Sequence, residues 1–468
     1  MLIQPLPVIK TFIDDLNTSL QLVNPSARLT AIQKVWLGAV LMGIIATGML
    51  NWAAFERRSL GVHSQSQLRW MFGWAKIKWE LLLTASVMNI LKTYGITSGT
   101  LVVDDSDKRR SKTTKCIPDA HKIKDKRTGG YFNGQELIFL IVVSNKVTFP
   151  VGVCFYAPDP ILSKWNKENK ILKDQGIAAK DRPKKPVPNP AYPTKPTLTV
   201  QMIKEFVQAF PSFKVIAVLA DALYGQSHFI DQVRQLTKNA QVVTQLKNSQ
   251  LVKSKNGKWV ALKTYFARQE GVKATLIIRG GKKVNITILS ARLSVKAHDG
   301  KRRFVVALKY EGETKYRFLV ASDLSWRHQD IAQLYTLRWL VEVFIQDWKG
   351  FEGWNQLAKQ QGEKGSTRGV ILSLLCDHLL LHHPKQTALL KNKQPGMPVG
   401  CLIEHLNAEA LVETIRKIVT DEKPLEKFKL FAENLYEILP ERQSKKHMAG
   451  RDLGRMEATP SLVCQIAL

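Results

Sequence analysis

The chain has 468 residues, with 45% hydrophobic and 8% aromatic content, values of a folded protein and not of a disordered one. Its 69 Lys and Arg against 39 Asp and Glu leave a net charge of +30. That excess favours a densely anionic partner, nucleic acid first and an anionic membrane surface second, because bound cations release counterions from a phosphate backbone. Five cysteines, odd in number and never in a CxxC pair, argue against a disulfide framework and a zinc ribbon. With no secretory pattern in the opening MLIQPLPVIK, a cytoplasmic location is expected.

In chain order, residues 1–97 read as a helical region, rich in Leu, Ala, Trp and Lys, with Ser64 or Ser66 placed to cap a helix. The uncharged run 35–54 is about as long as a membrane span. Thr47 and Asn51 interrupt it and three glycines loosen it, so buried helices are expected and no membrane. From residue 99 the pattern turns to short apolar β runs: LVVDD (101–105), ELIFLIVV (136–143) and TFPVGVCFY (148–156). Residues 158–197, with eight prolines and many lysines, read as an extended, exposed loop. A helix near 199–209 then leads into FKVIAVLAD (213–221), a strand ending on an aspartate, and the alternation points to an α/β layer.

Residues 246–325 read as a β-rich insertion, with runs at 274–279, 284–289, 303–310 and 316–322. Helices are expected at 328–350, 366–382, 399–420 and 424–438. The pattern therefore divides the chain into a helical N-terminal region (1–97), an α/β core in two parts (98–245 and 326–390) split by the insertion (246–325), and a helical C-terminal region (391–468).

YTLRWLVEVFIQDWK (335–349) is the most informative segment. At about 100° per residue, Tyr335, Arg338, Glu342 and Lys349 fall within an arc of about 60°. Leu337, Leu340, Val341, Phe344 and Trp348 lie opposite, and Asp347 lies off the polar face. Alone, this pattern equally fits a solvated face with an i,i+4 Arg–Glu pair. Two strand-end aspartates, Asp104 and Asp221, shift the balance, since strand ends of α/β sheets open onto ligand crevices. Three carboxylates on separate elements suit paired Mg²⁺ ions in phosphoryl transfer, and the basic residues beside Glu342 suit DNA phosphates.

These residues resemble the signature of bacterial insertion-sequence transposases of the DDE/YREK type, the insertion-sequence-four family with its Tn-five and Tn-ten relatives. Tyr335, Arg338, Glu342 and Lys349 match its tyrosine–arginine–glutamate–lysine spacing. VVDDS matches its first aspartate motif at Asp104, with Asp105 the alternative, and VLADALYG matches its second at Asp221. The resemblance implies an RNase H-like core interrupted by a β-rich insertion, catalytic metal ligands Asp104, Asp221 and Glu342, and DNA contacts from Tyr335, Arg338 and Lys349. It further implies Mg²⁺ (Mn²⁺ as substitute), two ions, acting in cleavage at double-stranded element ends and joining to target DNA, by a homodimer. The alternatives are an RNase H-fold nuclease or resolvase that does not join, and a non-catalytic basic DNA-binding protein.

Other signals carry less. Cys376, His378, His382 and His383 share a helix end without a zinc-protease glutamate and read as a half-buried helix end. GEKGST (362–367) and RGGKK (279–283) do not fit a phosphate loop, so no ATP site is expected.

Overall fold

The computed structural model describes residues 4–59, 62–110, 117–125, 128–352 and 362–438. The chain opens with five helices, α1 (Pro7–Val23), α2 (Ala31–Thr47), α3 (Trp52–Arg58), α4 (Gln65–Trp74) and α5 (Trp79–Tyr94). Capping boxes at Thr30 with Gln33 and at Ser64 with Gln67 start α2 and α4 by satisfying backbone N–H groups that have no partner inside the helix. The apolar run at 35–54 is no single span. Gly48, at φ 63°, takes the left-handed conformation that ends α2, and the chain bends by 90° into α3. Among the described residues no single helix is long and apolar enough to cross a membrane, and most of α2 from Trp36 to Ile45 is buried in the protein core.

The sheet begins with β1 (Ser98–Arg109), β2 (His121–Lys124), β3 (Tyr131–Val143) and β4 (Thr148–Tyr156). After α6 (Pro160–Asp174) and α7 (Lys195–Ala209) come β5 (Lys214–Leu219), α8 (Ser227–Leu236) and β6 (Gln241–Leu246). β3 lies antiparallel between β1 and β4, while β5 and β6 run parallel to β1 on its other side. The order β4-β3-β1-β5-β6, three antiparallel strands followed by two parallel ones with helices between, is an RNase H-like core.

The following segment holds β7 (Leu251–Lys253), β8 (Trp259–Ala261), α9 (Leu262–Phe266), β9 (Val272–Ile277), β10 (Lys283–Ser294), β11 (Arg302–Tyr310) and β12 (Arg317–Ala321). β9 to β12 form an antiparallel meander whose last strand pairs with β6, Phe318–Ala321 against Leu246–Val243. The meander and the core therefore form one ten-stranded sheet. The chain closes with α10 (His328–Tyr335), α11 (Trp339–Phe351), α12 (Gly362–Leu381), α13 (Pro384–Lys391), α14 (Val399–Val419) and α15 (Pro424–Ile438).

Alternation along the strands sends Val102, Phe139 and Ile141 to one face, packed with α11 and α12. Leu101, Val103 and Ile138 go to the other face, packed with α7 and α8.

Two expectations differ from what is found. Residues 158–197 are not extended throughout, since α6 occupies 160–174. Pro160 sits at the first helical position behind Asp159, whose side chain accepts from the backbone N–H of Ile161 and Leu162. The helix expected across 328–350 is interrupted by a 3-10 turn at Thr336–Arg338. There the Thr336 hydroxyl donates to the Gln333 carbonyl (2.6 Å), a local bond that competes with regular α winding.

Candidate active site

β1 and β5 set the first two carboxylates. Their parallel register ends at Val102 opposite Leu219, so Asp104 and Asp221 each stand two residues further on. Asp221 lies past the end of β5, whereas Asp104, expected at a strand end, lies inside β1, which runs on to Arg109 against β3. Adjacent strands lie about 4.8 Å apart. Asp221 leaves the strand into a tight turn, where its Oδ1 accepts from the Leu223 N–H (2.8 Å). The Tyr-Gly that follows is sterically fixed. A Cβ on Gly225 would stand 2.6 Å from the Gln245 carbonyl oxygen.

The pleat separates the two adjacent aspartates. Asp104 shares its face with Val102 and meets α11, while Asp105 faces the opposite side and binds the Lys195 ammonium of α7 (2.7 Å). Lys195 also binds Glu136 (3.0 Å), whose other oxygen faces His121.

α11 brings the third carboxylate. Its apolar side is fixed by Val341, Phe344 and the fully buried Trp348, with the Trp348 and Phe344 rings 4.9 and 5.6 Å from Phe139 of β3. The opposite side then faces the strand ends. Arg338 spans two acids, donating from Nη1 to Asp104 (2.7 Å) and from Nη2 to Glu342 (2.5 Å). The Tyr335 hydroxyl donates to the carbonyl of Ala220, the residue before Asp221 (3.2 Å). Lys349, two turns on, reaches Asp107 of β1 (3.8 Å). The structure thus gathers Asp104, Asp221, Tyr335, Arg338 and Glu342 at one end of the sheet and places Lys349 further along β1.

Burial dominates the electrostatics. It pushes the Asp104 carboxyl up to about 6; Arg338 and the backbone N–H of Asp105 oppose the rise, and the Asp105 and Asp221 charges add to it. Burial also raises the Tyr335 phenol, on which Asp221, Asp104 and Glu342 all act in the same direction. Among the described residues no three His, Cys, Asp or Glu side chains are grouped to hold a metal ion, and the Arg338 guanidinium lies between two of the acids. Carboxylate oxygens are the hard donors that divalent cations take, but the positive charge beside the buried Asp104 is here that of Arg338, which a cation bound between these acids would have to displace.

Several residues here escaped the sequence reading. Lys195 was submerged in a lysine- and proline-rich stretch, and only its place before Pro196 at a helix start could have marked it. Lys108 follows Asp104 on β1, and Arg110 stands just past its end. Burial first, then the nearby Arg110 and Lys349, lower the Lys108 ammonium to about 8. Phosphate held against these cations would restore that proton, so DNA binding should take one up above about pH 8 and weaken as pH rises further. Affinity for duplex DNA across pH 7 to 9.5 tests this. Lys108→Arg should flatten the profile, and a flat profile in the parent would place the DNA elsewhere.

The helix carrying Cys376 and His378 serves the core. His378 is fully buried between the Ser86 hydroxyl (2.7 Å) and the Pro150 carbonyl (2.9 Å), and burial lowers its imidazole to about 3.

Residues 56–268 match the family profile described as DDE superfamily endonuclease, and residues 187–374 match that described as Transposase DDE domain. The first range contains Asp104 and Asp221, and the second contains Asp221 and Glu342. Comparison with curated proteins gives no match. Among solved structures, one similar chain is the NurA nuclease from Sulfolobus solfataricus. It is 7% identical, covering 55% of this chain and 84% of that one, with a TM-score of 0.20, too slight a likeness to place any residue. The two family matches together, across residues 56–374, support a DDE-type transposase or endonuclease, a metal-dependent enzyme that cuts DNA.

Proposed function

We propose that this chain is the transposase of a bacterial insertion sequence, of the insertion-sequence-four type, which cuts at the ends of its element and joins them to target DNA. The observation that carries the reading is Arg338 joining Asp104 to Glu342, with Asp221 at the neighbouring strand end. Asp104, Asp221 and Glu342 would hold two Mg²⁺ ions, or Mn²⁺ in their place. Such ions supply an activated attacking oxygen and charge stabilisation for the leaving one. Tyr335, Arg338 and Lys349 bind phosphates of the element end, and Lys108 and Arg110 extend that basic surface. Val341, Phe344 and Trp348 hold the helix so that these groups keep their orientation. The domains follow the division given above, with 1–97 contacting DNA. The working form on DNA is a homodimer, and the location is the bacterial cytoplasm, at the nucleoid.

The endonuclease profile over residues 56–268 favours a second reading, cutting without joining. One assay separates the two. The protein is incubated with Mg²⁺, a labelled duplex of the DNA flanking its gene, and a supercoiled plasmid. Transposition predicts label covalently joined to plasmid, whereas a nuclease gives cut duplex only, and no cutting with either Mg²⁺ or Mn²⁺ overturns both.

Charge adds an expectation under either reading. Affinity for duplex DNA should fall about 10³- to 10⁵-fold between 50 and 200 mM salt if six to ten phosphates are contacted. A salt-independent affinity, read by fluorescence anisotropy, would mean the +30 charge serves another purpose.

A further inference from the structure

Between β4 and α7 the chain makes an excursion, residues 157–194, that the proposed chemistry does not use. β4 runs towards the end of the sheet that carries Asp104 and leaves it at Tyr156, opposite Glu136. The chain returns at Lys195, whose ammonium binds Glu136 and Asp105 and lies 5.2 Å from the centroid of the Tyr156 ring. Both ends of the excursion are therefore fastened at one point, beside the neighbour of Asp104.

The excursion has a built form. On α6, Leu162, Trp165, Asn169 and Leu172 are half-buried on one side. The Trp165 indole donates to the Pro183 carbonyl (2.9 Å), and Arg182 donates to Asn169 (3.2 Å). Prolines at 183, 186, 188, 190 and 193 stiffen the return. At about 100° per residue the opposite side of α6 presents Lys164, Lys167 and Lys170 within an arc of about 120°. All three are exposed. Residues 160–194 carry eight Lys or Arg against three Asp or Glu.

We infer that this excursion is an arm that grips the phosphate backbone of duplex DNA close to the reacting phosphate, through Lys164, Lys167 and Lys170. The inference rests on the DNA-processing reading above and adds a surface to it. A helix of 15 residues spans about 22 Å, the length of roughly six base pairs at 3.4 Å each. An arm of that reach, rooted at the active-site end of the sheet, meets DNA that continues past the site. Because it is ordered before DNA arrives, little conformational entropy is lost when it binds. Of the three, Lys164 lies 3.9 Å from Glu168, an exposed i,i+4 contact weak enough to yield to a phosphate.

The test uses the full chain and a duplex of the DNA flanking its gene, titrated between 50 and 200 mM salt. The triple variant K164A/K167A/K170A should bind at least about tenfold more weakly at 100 mM, with a log–log salt slope shallower by about 2.7, from three phosphates at 0.9 each. K164R/K167R/K170R should restore both, and K423A/K427A/K429A, at exposed positions just before and on α15, should bind as the parent does. Equal affinity and slope in the parent and K164A/K167A/K170A overturns the arm, as does an equal loss in the α15 triple. Loss of binding to phosphatidylserine vesicles but not to DNA also overturns it. If the parent itself shows no salt-dependent DNA binding, the DNA reading falls and takes the arm with it.

Discussion

Glu342→Gln is expected to lower DNA cleavage by at least about a thousandfold, since losing one carboxylate ligand forfeits several kcal/mol of metal-supplied charge stabilisation, at 1.36 kcal/mol per decade. The substitution keeps the shape of the side chain and removes its charge. Arg338 retains its bond to Asp104, so the helix stays fastened to β1. The lost i,i+4 pair with Arg338 is partly exposed and contributes only a few tenths of a kcal/mol. Folding should therefore be almost unaffected, and affinity for DNA should hold or rise slightly, because a negative charge has left a phosphate-binding surface. Single-turnover cleavage and duplex affinity, measured on the same preparation, decide the matter. Cleavage at the parental rate would remove Glu342 from the catalytic set.

The largest stability effect is expected at Trp348. This side chain is fully buried, packed edge-on to Phe139 and stacked beside Phe344 at the join between α11 and β3. Trp348→Ala empties that space and should cost about 3–5 kcal/mol, the range for large aromatic truncations in cores. Trp348→Phe keeps most of the volume and should cost distinctly less. Both effects are read as shifts in the urea unfolding midpoint. Since Glu342 lies on the other side of the same helix and Arg338 just before its start, Trp348→Ala should also reduce cleavage at temperatures where the protein remains folded. Full activity with a lowered midpoint would show that the orientation of α11 is held by other contacts.

The parts of this architecture legible in the sequence are those whose signal is local. β4 coincides with the apolar run at 148–156, and Ser64 caps α4 as its place before a helical stretch suggests. The polar side of 335–349 could be read because a helical period fixes which residues share a face. The choice between Asp104 and Asp105 was left open by sequence, because alternation says they diverge but not which side α11 covers. The structure puts Arg338 against Asp104 and Lys195 against Asp105. Lys195, 90 residues from Asp105 along the chain, was invisible for the same reason. Its role arises from the packing of α7 on β3 and β4, which carries the Lys195 ammonium to Asp105 and Glu136, and no local pattern encodes that. α6 was missed for a different reason, since proline ends helices in their interior but starts them at the first position.

The pairing of β12 with β6 has a consequence for how this protein could be shortened or recombined. A segment inserted in a loop can be cut out and the ends rejoined, but 251–321 supplies four neighbouring strands of the same hydrogen-bonded layer. Removing it would strip β6 of the partners that Val243 to Leu246 now have and leave a bare edge of apolar backbone, a template for joining another chain. A truncated version should therefore precipitate and not persist as a smaller enzyme. A replacement segment would be tolerated only if it brought an antiparallel strand to cover β6 in the same register.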